Sequence, residues 1–267
     1  MQEAWAVRAP LKAIGAIAFL TLGLGSCDRS ITPSSPLSQS SPSLPSLSPV
    51  TATPPPVLSP PSAAERAAAN TFRQIGLDYR NQGLYDEAIA ALQKSVELDP
   101  NELSGRVILG WTLHLAGQET EATHQLKQAL AQQPNDVSAL NALGIVYLVS
   151  GDLNAAVQTH QQAVALQPDN EIGYFNLSLA YHRLNRSADA IANARRATQL
   201  EPENPNPWLA LAIAHWDNNE LTLAQEAYQQ AIRQNAQYDS AAILDQLKFS
   251  GFSQKQIQLT ETIQQSR

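Results

Sequence analysis

An all-α array of stacked helix hairpins is the fold this sequence predicts, and three observations predict it. Proline recurs at Pro100, Pro134, Pro168 and Pro202, each 34 residues after the last. Aligned on that period, small residues fall into register: Gly76, Gly110, Gly144, Ser178, Ala212, then Ala88, Ala122, Ala156, Ala190, Ala224, then Ser95, Ala129, Ala163, Ala197, Ala231. Between them apolar residues step by three and four, as in Leu143, Val146 and Tyr147, the spacing of one helix face. Leucine and alanine dominate and runs of Val, Ile and Thr are rare, which argues against a sheet.

The blocks run 69–102, 103–136, 137–170, 171–204 and 205–238. Each opens on an aromatic or long side chain (Phe72, Arg106, Leu140, Tyr174, Trp208), followed three residues later by an aliphatic one (Ile75, Leu109, Leu143, Leu177, Leu211). A turn column follows: Gly83, Gly117, Gly151, Asn185, Asn219. Glycine, and less easily asparagine, enters the left-handed backbone that ends a helix, so each block splits into two helices there. The closing proline stops the second helix, having no N–H and pushing its predecessor out of helical space. The small columns mark where neighbouring helices come close. One hairpin cannot bury its apolar face alone, so stacking builds the core.

A 34-residue period with a W-x-x-L-G-like start, then two alanine columns and a proline, resembles the tetratricopeptide repeat (TPR) over about 168 of 267 residues. The resemblance implies a right-handed superhelical solenoid whose concave face is lined by the first helix of each repeat. It further implies that the second, fifth, ninth and twelfth positions of that helix face the groove, the last three of them carrying the candidate residues. Those are Arg73, Leu77 and Arg80, then Val107, Trp111 and His114, then Asn141, Ile145 and Leu148, then Phe175, Leu179 and His182, then Leu209, Ile213 and Trp216. The ninth position is apolar in all five repeats. A long apolar and aromatic groove suits a protein partner that offers an amphipathic helix or an extended apolar peptide. Trp111, Phe175 and Trp216 are the expected anchors. The competing expectation is that these residues pack on each other or on the chain's own C-terminus. Some family members clamp a C-terminal carboxylate with Lys, Asn and Arg. Here Arg73 is present but Leu77, Ile108 and Ser138 stand at the other clamp positions, which disfavours that role.

At the N-terminus Arg8 and Lys12 precede a 12-residue apolar run, Ala13 to Leu24. A membrane span needs about 20 residues, so the run reads as a secretory signal core over 1–26. It ends in Leu24-Gly25-Ser26-Cys27, which is similar to the bacterial lipobox, and Cys27 is the chain's single cysteine. The resemblance implies acylation of Cys27 and a lipid anchor on a bacterial membrane, facing the periplasm or the cell exterior. An ordinary signal peptide with an incidental cysteine is the alternative. From Ser30 to Pro61 the chain holds ten of its 17 prolines, among serine, threonine and small aliphatics. Such a segment cannot bury a core and is expected to be a disordered tether with polyproline II character over 27–61. At ~3.1 Å per residue it would reach about 100 Å.

Ser62 with Glu65 has capping-box spacing, so the first helix is expected to begin near Ala63 and the array to occupy 62–236. Beyond it, 237–267 is expected to form capping helices: one over Ser240–Phe249, and one from Ser253, whose capping-box partner is Gln256, to about Gln265. Phe252 and Ile257 have the spacing of a hydrophobic staple. Two destinations are open to the last helix: a cap on the array, or the groove.

No catalytic constellation is present. The five histidines show no metal-site spacing, although His114 and His182 share the twelfth position two repeats apart. No phosphate loop, dinucleotide fingerprint or nucleophile elbow occurs. The net charge of −7 lacks the footprint of nucleic-acid binding. One cysteine forms no internal disulfide. The expectation is a non-enzymatic, membrane-anchored adaptor that needs no cofactor and takes no small-molecule substrate, with a role in envelope or membrane-complex assembly. The alternative is a structural lipoprotein that binds peptidoglycan or lipid.

Overall fold

The computed structural model describes residues 60–266, with the side chain of Phe249 left aside. The lipobox at Cys27, the signal segment and the tether up to residue 59 lie outside the described residues.

Ten helices form five hairpins. They are α1 (Ala63–Asn81) with α2 (Tyr85–Leu98), α3 (Leu103–Leu115) with α4 (Glu119–Gln132), α5 (Val137–Ser150) with α6 (Leu153–Leu166), α7 (Glu171–Arg183) with α8 (Ser187–Leu200), and α9 (Pro205–Asp217) with α10 (Leu221–Gln234). Each helix packs on the next, and first helices of successive hairpins also touch, as α3 on α5 and α5 on α7. Among the described residues there is no strand.

The turn column behaves as glycine chemistry requires. Gly83, Gly117 and Gly151 sit at φ of 76°, 75° and 91°, and Asn185 and Asn219 at 57° and 60°. The second helices stop at Leu98, Gln132, Leu166 and Leu200, each two residues before a proline. Ser62 opens α1 with a complete capping box, its hydroxyl accepting from the Glu65 N–H while the Glu65 carboxylate accepts from the Ser62 N–H.

The alanine columns are where the hairpins close. Ala88, Ala122, Ala156, Ala190 and Ala224 have no exposed surface, nor do Ala129, Ala163, Ala197 and Ala231. The glycine column closes equally tightly. A Cβ on Gly76 or Gly110 would lie 2.6 Å from Leu92 or Leu126, and on Gly144 it would lie 2.5 Å from the His160 ring. His160 thus fills the place that leucine fills in the first two repeats. It is fully buried, neither ring nitrogen has a hydrogen-bond partner, and burial pushes its pKa down to about 3.

The first repeat shows an unfinished edge. Ile75 is 38% exposed, whereas its equivalents Leu109, Leu143, Leu177 and Leu211 are between 2% and 6%. Each of those four has a hairpin before its own among the described residues, and α1 has none.

After α10 a 3-10 turn (Ala236–Asp239) leads to the expected helix, which is the six-residue α11 (Ala242–Leu247) continued by a second 3-10 turn (Lys248–Ser250). Tyr238 fixes the approach to it. Its hydroxyl donates to Asn206 Oδ1 at 2.5 Å, and its carbonyl accepts from the Tyr228 hydroxyl at 2.7 Å, so the chain is pinned before it turns. The final helix α12 (Gln254–Gln265) begins at Ser253 with the expected capping box to Gln256.

Candidate functional site: the concave face

The concave face is built from α1, α3, α5, α7 and α9, and it divides in two. Over the first repeats, Leu77, Trp111 and Ile145 are half-buried. Over the last two, Leu179 and Ile213 are 1% exposed. The groove therefore is not the continuous open surface the ninth-position column implied.

The chain's own tail makes the difference. Gly251 turns at φ 85°, and a Cβ there would meet Leu179 at 3.5 Å and Leu148 at 3.6 Å. Phe252 is buried with its ring centroid 5.7 Å from that of Phe175, tilted by 57°. Gln256 has no exposed surface; its Nε2 donates to the Leu179 carbonyl at 3.3 Å and lies 3.2 Å from His182 Nδ1. α12 then runs against α9, and Leu209 and Ile213 share a buried cluster with Phe252, Ile257 and Ile263. Leu148, Phe175, Leu179 and His182 are thus met by the tail, and Leu209 and Ile213 are buried in the same cluster; the fifth position is buried in the uncovered half too, at Val107 and Asn141. Trp216, at the end of α9, stays half-buried.

His182 shows what the tail does electrostatically. Its Nε2 lies 3.0 Å from Asp217 Oδ2, off-line for a hydrogen bond, and Lys255 of α12 reaches the same carboxylate at 3.2 Å. Burial, joined by Lys255, pushes the imidazole below its ordinary pKa against the pull of Asp217. His114, its equivalent two repeats earlier, instead places Nδ1 2.8 Å from the Glu119 carboxylate, with its ring 5.1 Å from Trp111. The two histidines are engaged separately and do not face one ligand.

The remaining first-half candidates differ in freedom. Arg73 is committed to Glu102 at 2.6 Å and to Asn70. Val107 is buried. Asn141 exchanges two amide hydrogen bonds with Asn170, at 2.9 and 3.2 Å, and so serves the helix packing. Arg80 is half-buried, and burial pushes its guanidinium below the ordinary value. What this half offers a ligand is the row Leu77, Trp111 and Ile145, with Arg80 and His114 beside it.

The sequence reading missed Gly251, Phe252 and Gln256 as groove residues. The fifth and twelfth positions gave no clean signal: Arg73, Arg80, Val107 and His114 stand there in the first two repeats, and Asn141, Leu148, Phe175, His182, Leu209 and Trp216 in the last three.

Two family models match in succession: "Psidin, N-terminal TPR repeats region" over residues 77–208 and "Tetratricopeptide repeat" over 209–244. No curated protein sequence matches the chain. Solved structures similar to this chain include MamA (41 to end) from Desulfovibrio magneticus RS-1, at 22% identity and TM-score 0.57, covering 65% of this chain and 98% of that one. Pseudomonas aeruginosa pilF is similar at 21% identity and TM-score 0.59, over 64% of this chain and 78% of that one. A thermophilic TPR protein from Thermus thermophilus is similar at 21% identity and TM-score 0.56, over 69% and 98%. At these identities the likeness establishes the fold.

Proposed function

We propose that this tetratricopeptide-repeat protein is a membrane-anchored adaptor that binds a partner protein through the first half of its concave face. The repeat fold supports a protein-binding scaffold in general, and the finer reading rests on one observation. The ninth-position row continues half-exposed over Leu77, Trp111 and Ile145 after the tail has closed the rest. A tryptophan between two aliphatic residues, one repeat apart on each side, fits an apolar helix face or an extended apolar peptide. Arg80, half-buried and held by no carboxylate among the described residues, favours a partner with an acidic or carbonyl group near the first repeat. The anchor is Cys27, in the lipobox-like Leu24-Gly25-Ser26-Cys27, and the Pro/Ser segment behind it carries the array away from the bilayer towards the periplasm or exterior.

The test uses the full chain expressed in its membrane. A photo-crosslinking residue at position 111 should capture one defined protein, and the same residue at the exposed position 128 on α4 should not. Trp111→Ala should abolish a partner contact probed from position 77 while the array still melts cooperatively. Equal capture from positions 111 and 128 would remove the groove from the reading. Mass spectrometry of the mature N-terminus checks the anchor: an unmodified Cys27 thiol would refute it.

A further inference from the structure

The tail shows what the second half of the groove recognises. Its entry is an aromatic ring, Phe252, placed one residue ahead of a serine N-cap and seated on Phe175. Next comes a glutamine at the third helical position, Gln256, whose amide reaches the Leu179 carbonyl and the His182 ring. Then an apolar stripe, Ile257 and Ile263, lies in the buried cluster of α9. This is a helix-in-groove complex made within one chain.

Resting on the groove reading above, we propose that Gly251–Gln265 is a displaceable stand-in for a ligand. The ligand it mimics is a capped amphipathic helix, with an aromatic residue just before its N-cap and a glutamine one turn later. Such a helix binds repeats 4 and 5 by expelling the tail.

Three features make the tail separable from the array. Two of the four residues that α12 buries, Gln256 and Thr260, are polar. The array helices instead close through alanine columns that have no exposed surface. The Thr260 hydroxyl bonds only to its own helix, at the Gln256 carbonyl. The Lys255–Asp217 pair is exposed on the lysine side, a setting in which ion pairs hold little.

The connection is also built to move. The chain reaches the groove through a six-residue helix, a 3-10 turn and a left-handed Gly251. A few residues at element ends are what hinges consist of. Once the tail leaves, Leu148, Phe175, Leu179 and Ile213 join Ile145, Trp111 and Leu77 in one apolar row along five repeats. The tail therefore sets a threshold for the full-length groove: a ligand must outcompete an intramolecular helix.

Amide hydrogen exchange on the full chain tests this first. α12 should exchange about tenfold or more faster than α7 and α9, through an opening that leaves the hairpins closed. A fluorescent peptide spanning residues 250–267 tests it second. The full chain carrying Phe252→Ala should bind that peptide at least about tenfold more tightly than the unaltered chain does, because its own tail competes less. The same peptide with its own Phe252→Ala should not bind, and Gln256→Ala in the chain should give an intermediate affinity. The proposal is overturned if α12 exchanges no faster than α7, if the peptide binds neither chain, or if Phe252→Ala unfolds the whole array. Capture at position 111 probes the uncovered half, so either reading can fail while the other stands.

Discussion

Repeats 1 to 3 and repeats 3 to 5 use the same columns, yet the two halves of the concave face have different fates. Leu77, Trp111 and Ile145 occupy the ninth position half-exposed, and Leu179 and Ile213 occupy it buried. The boundary falls within α5, where Ile145 is half-buried and Leu148, three residues on, has no exposed surface. A repeat register fixes the direction in which a side chain points. It does not fix what stands opposite. Here the non-repeating tail decides access, and so divides one structural surface into a candidate binding surface and a stretch of core.

The largest effect that sharpens this contrast is a truncation on each side of the boundary. Phe175→Ala removes a buried ring from beneath Phe252, and aromatic truncations in cores cost ~3–5 kcal/mol. Leu77→Ala removes a half-exposed side chain and should cost less than about 2 kcal/mol, since much of its surface is already in water. Denaturant melts of the two variants measure the difference. Equal losses would mean that the uncovered half is packed as tightly as the covered one.

His160 offers a probe at the junction, in the third repeat. Its pKa is depressed to about 3 by burial, against an ordinary value near 6.5. Between those values the unfolded chain binds a proton that the folded chain refuses. Stability is therefore full above about pH 6.5 and falls on acidification by up to about 1.4 kcal/mol per pH unit. His160→Leu restores the residue that the first two repeats carry opposite their glycines. Relative to the unaltered chain it should gain up to about 3 kcal/mol at pH 4, and less at pH 7. Parallel stability curves for the two proteins from pH 7 to pH 4 would show that His160 is not held neutral. Glu171 slopes the other way. Burial, with Glu201 close by, pushes it up to about 8, so its part of the stability is lost as pH rises from 4.5 towards 8. Glu171→Gln should flatten that alkaline limb.

Overpacking probes the hairpins themselves, on the uncovered side and up to the boundary. Gly110→Ala would place a Cβ 2.6 Å from Leu126, a flexible side chain, and Gly144→Ala would place one 2.5 Å from the stiff His160 ring. Insertions of this kind cost ~1–3 kcal/mol, and the loss should be greater at Gly144 because a ring cannot fold aside. Similar melts for the two would remove His160 as the rigid neighbour.

The hairpins were legible in the sequence because their determinants are local and repeated. Left-handed turns need Gly83 or Asn185, helix ends need Pro100 or Pro134, and close approach needs Ala122 or Gly110. Each constraint can be read without knowing the neighbour. The tail was legible only in part. Ser253 and Gln256 announced a capped helix, and α12 spans the residues expected of it. Its destination was not legible, because that depends on Tyr238 pinning the chain to Asn206 and Tyr228, and on Gly251 turning it inward. These contacts join residues up to 32 positions apart and occur once, so no column reveals them. The same holds for Gln256, whose buried amide meets partners 74 and 77 residues away.

The smallest expected effect lies in the turns, which also differ between the halves. The uncovered repeats turn on Gly83, Gly117 and Gly151, and the covered ones on Asn185 and Asn219. Asparagine tolerates the left-handed region at some cost, while glycine enters it freely but gives up more freedom on folding. The two terms oppose each other, so Asn185→Gly should shift stability by less than about 0.5 kcal/mol. Asn185→Ala keeps the left-handed requirement and loses the residue suited to it, which should cost roughly 1–2 kcal/mol. Gly117→Ala should cost a similar amount, because a Cβ there meets no neighbour within 4 Å and only backbone strain opposes it. Matching losses at 117 and 185 would establish that the turn chemistry is uniform along the array. The contrast between its halves would then belong to the tail alone.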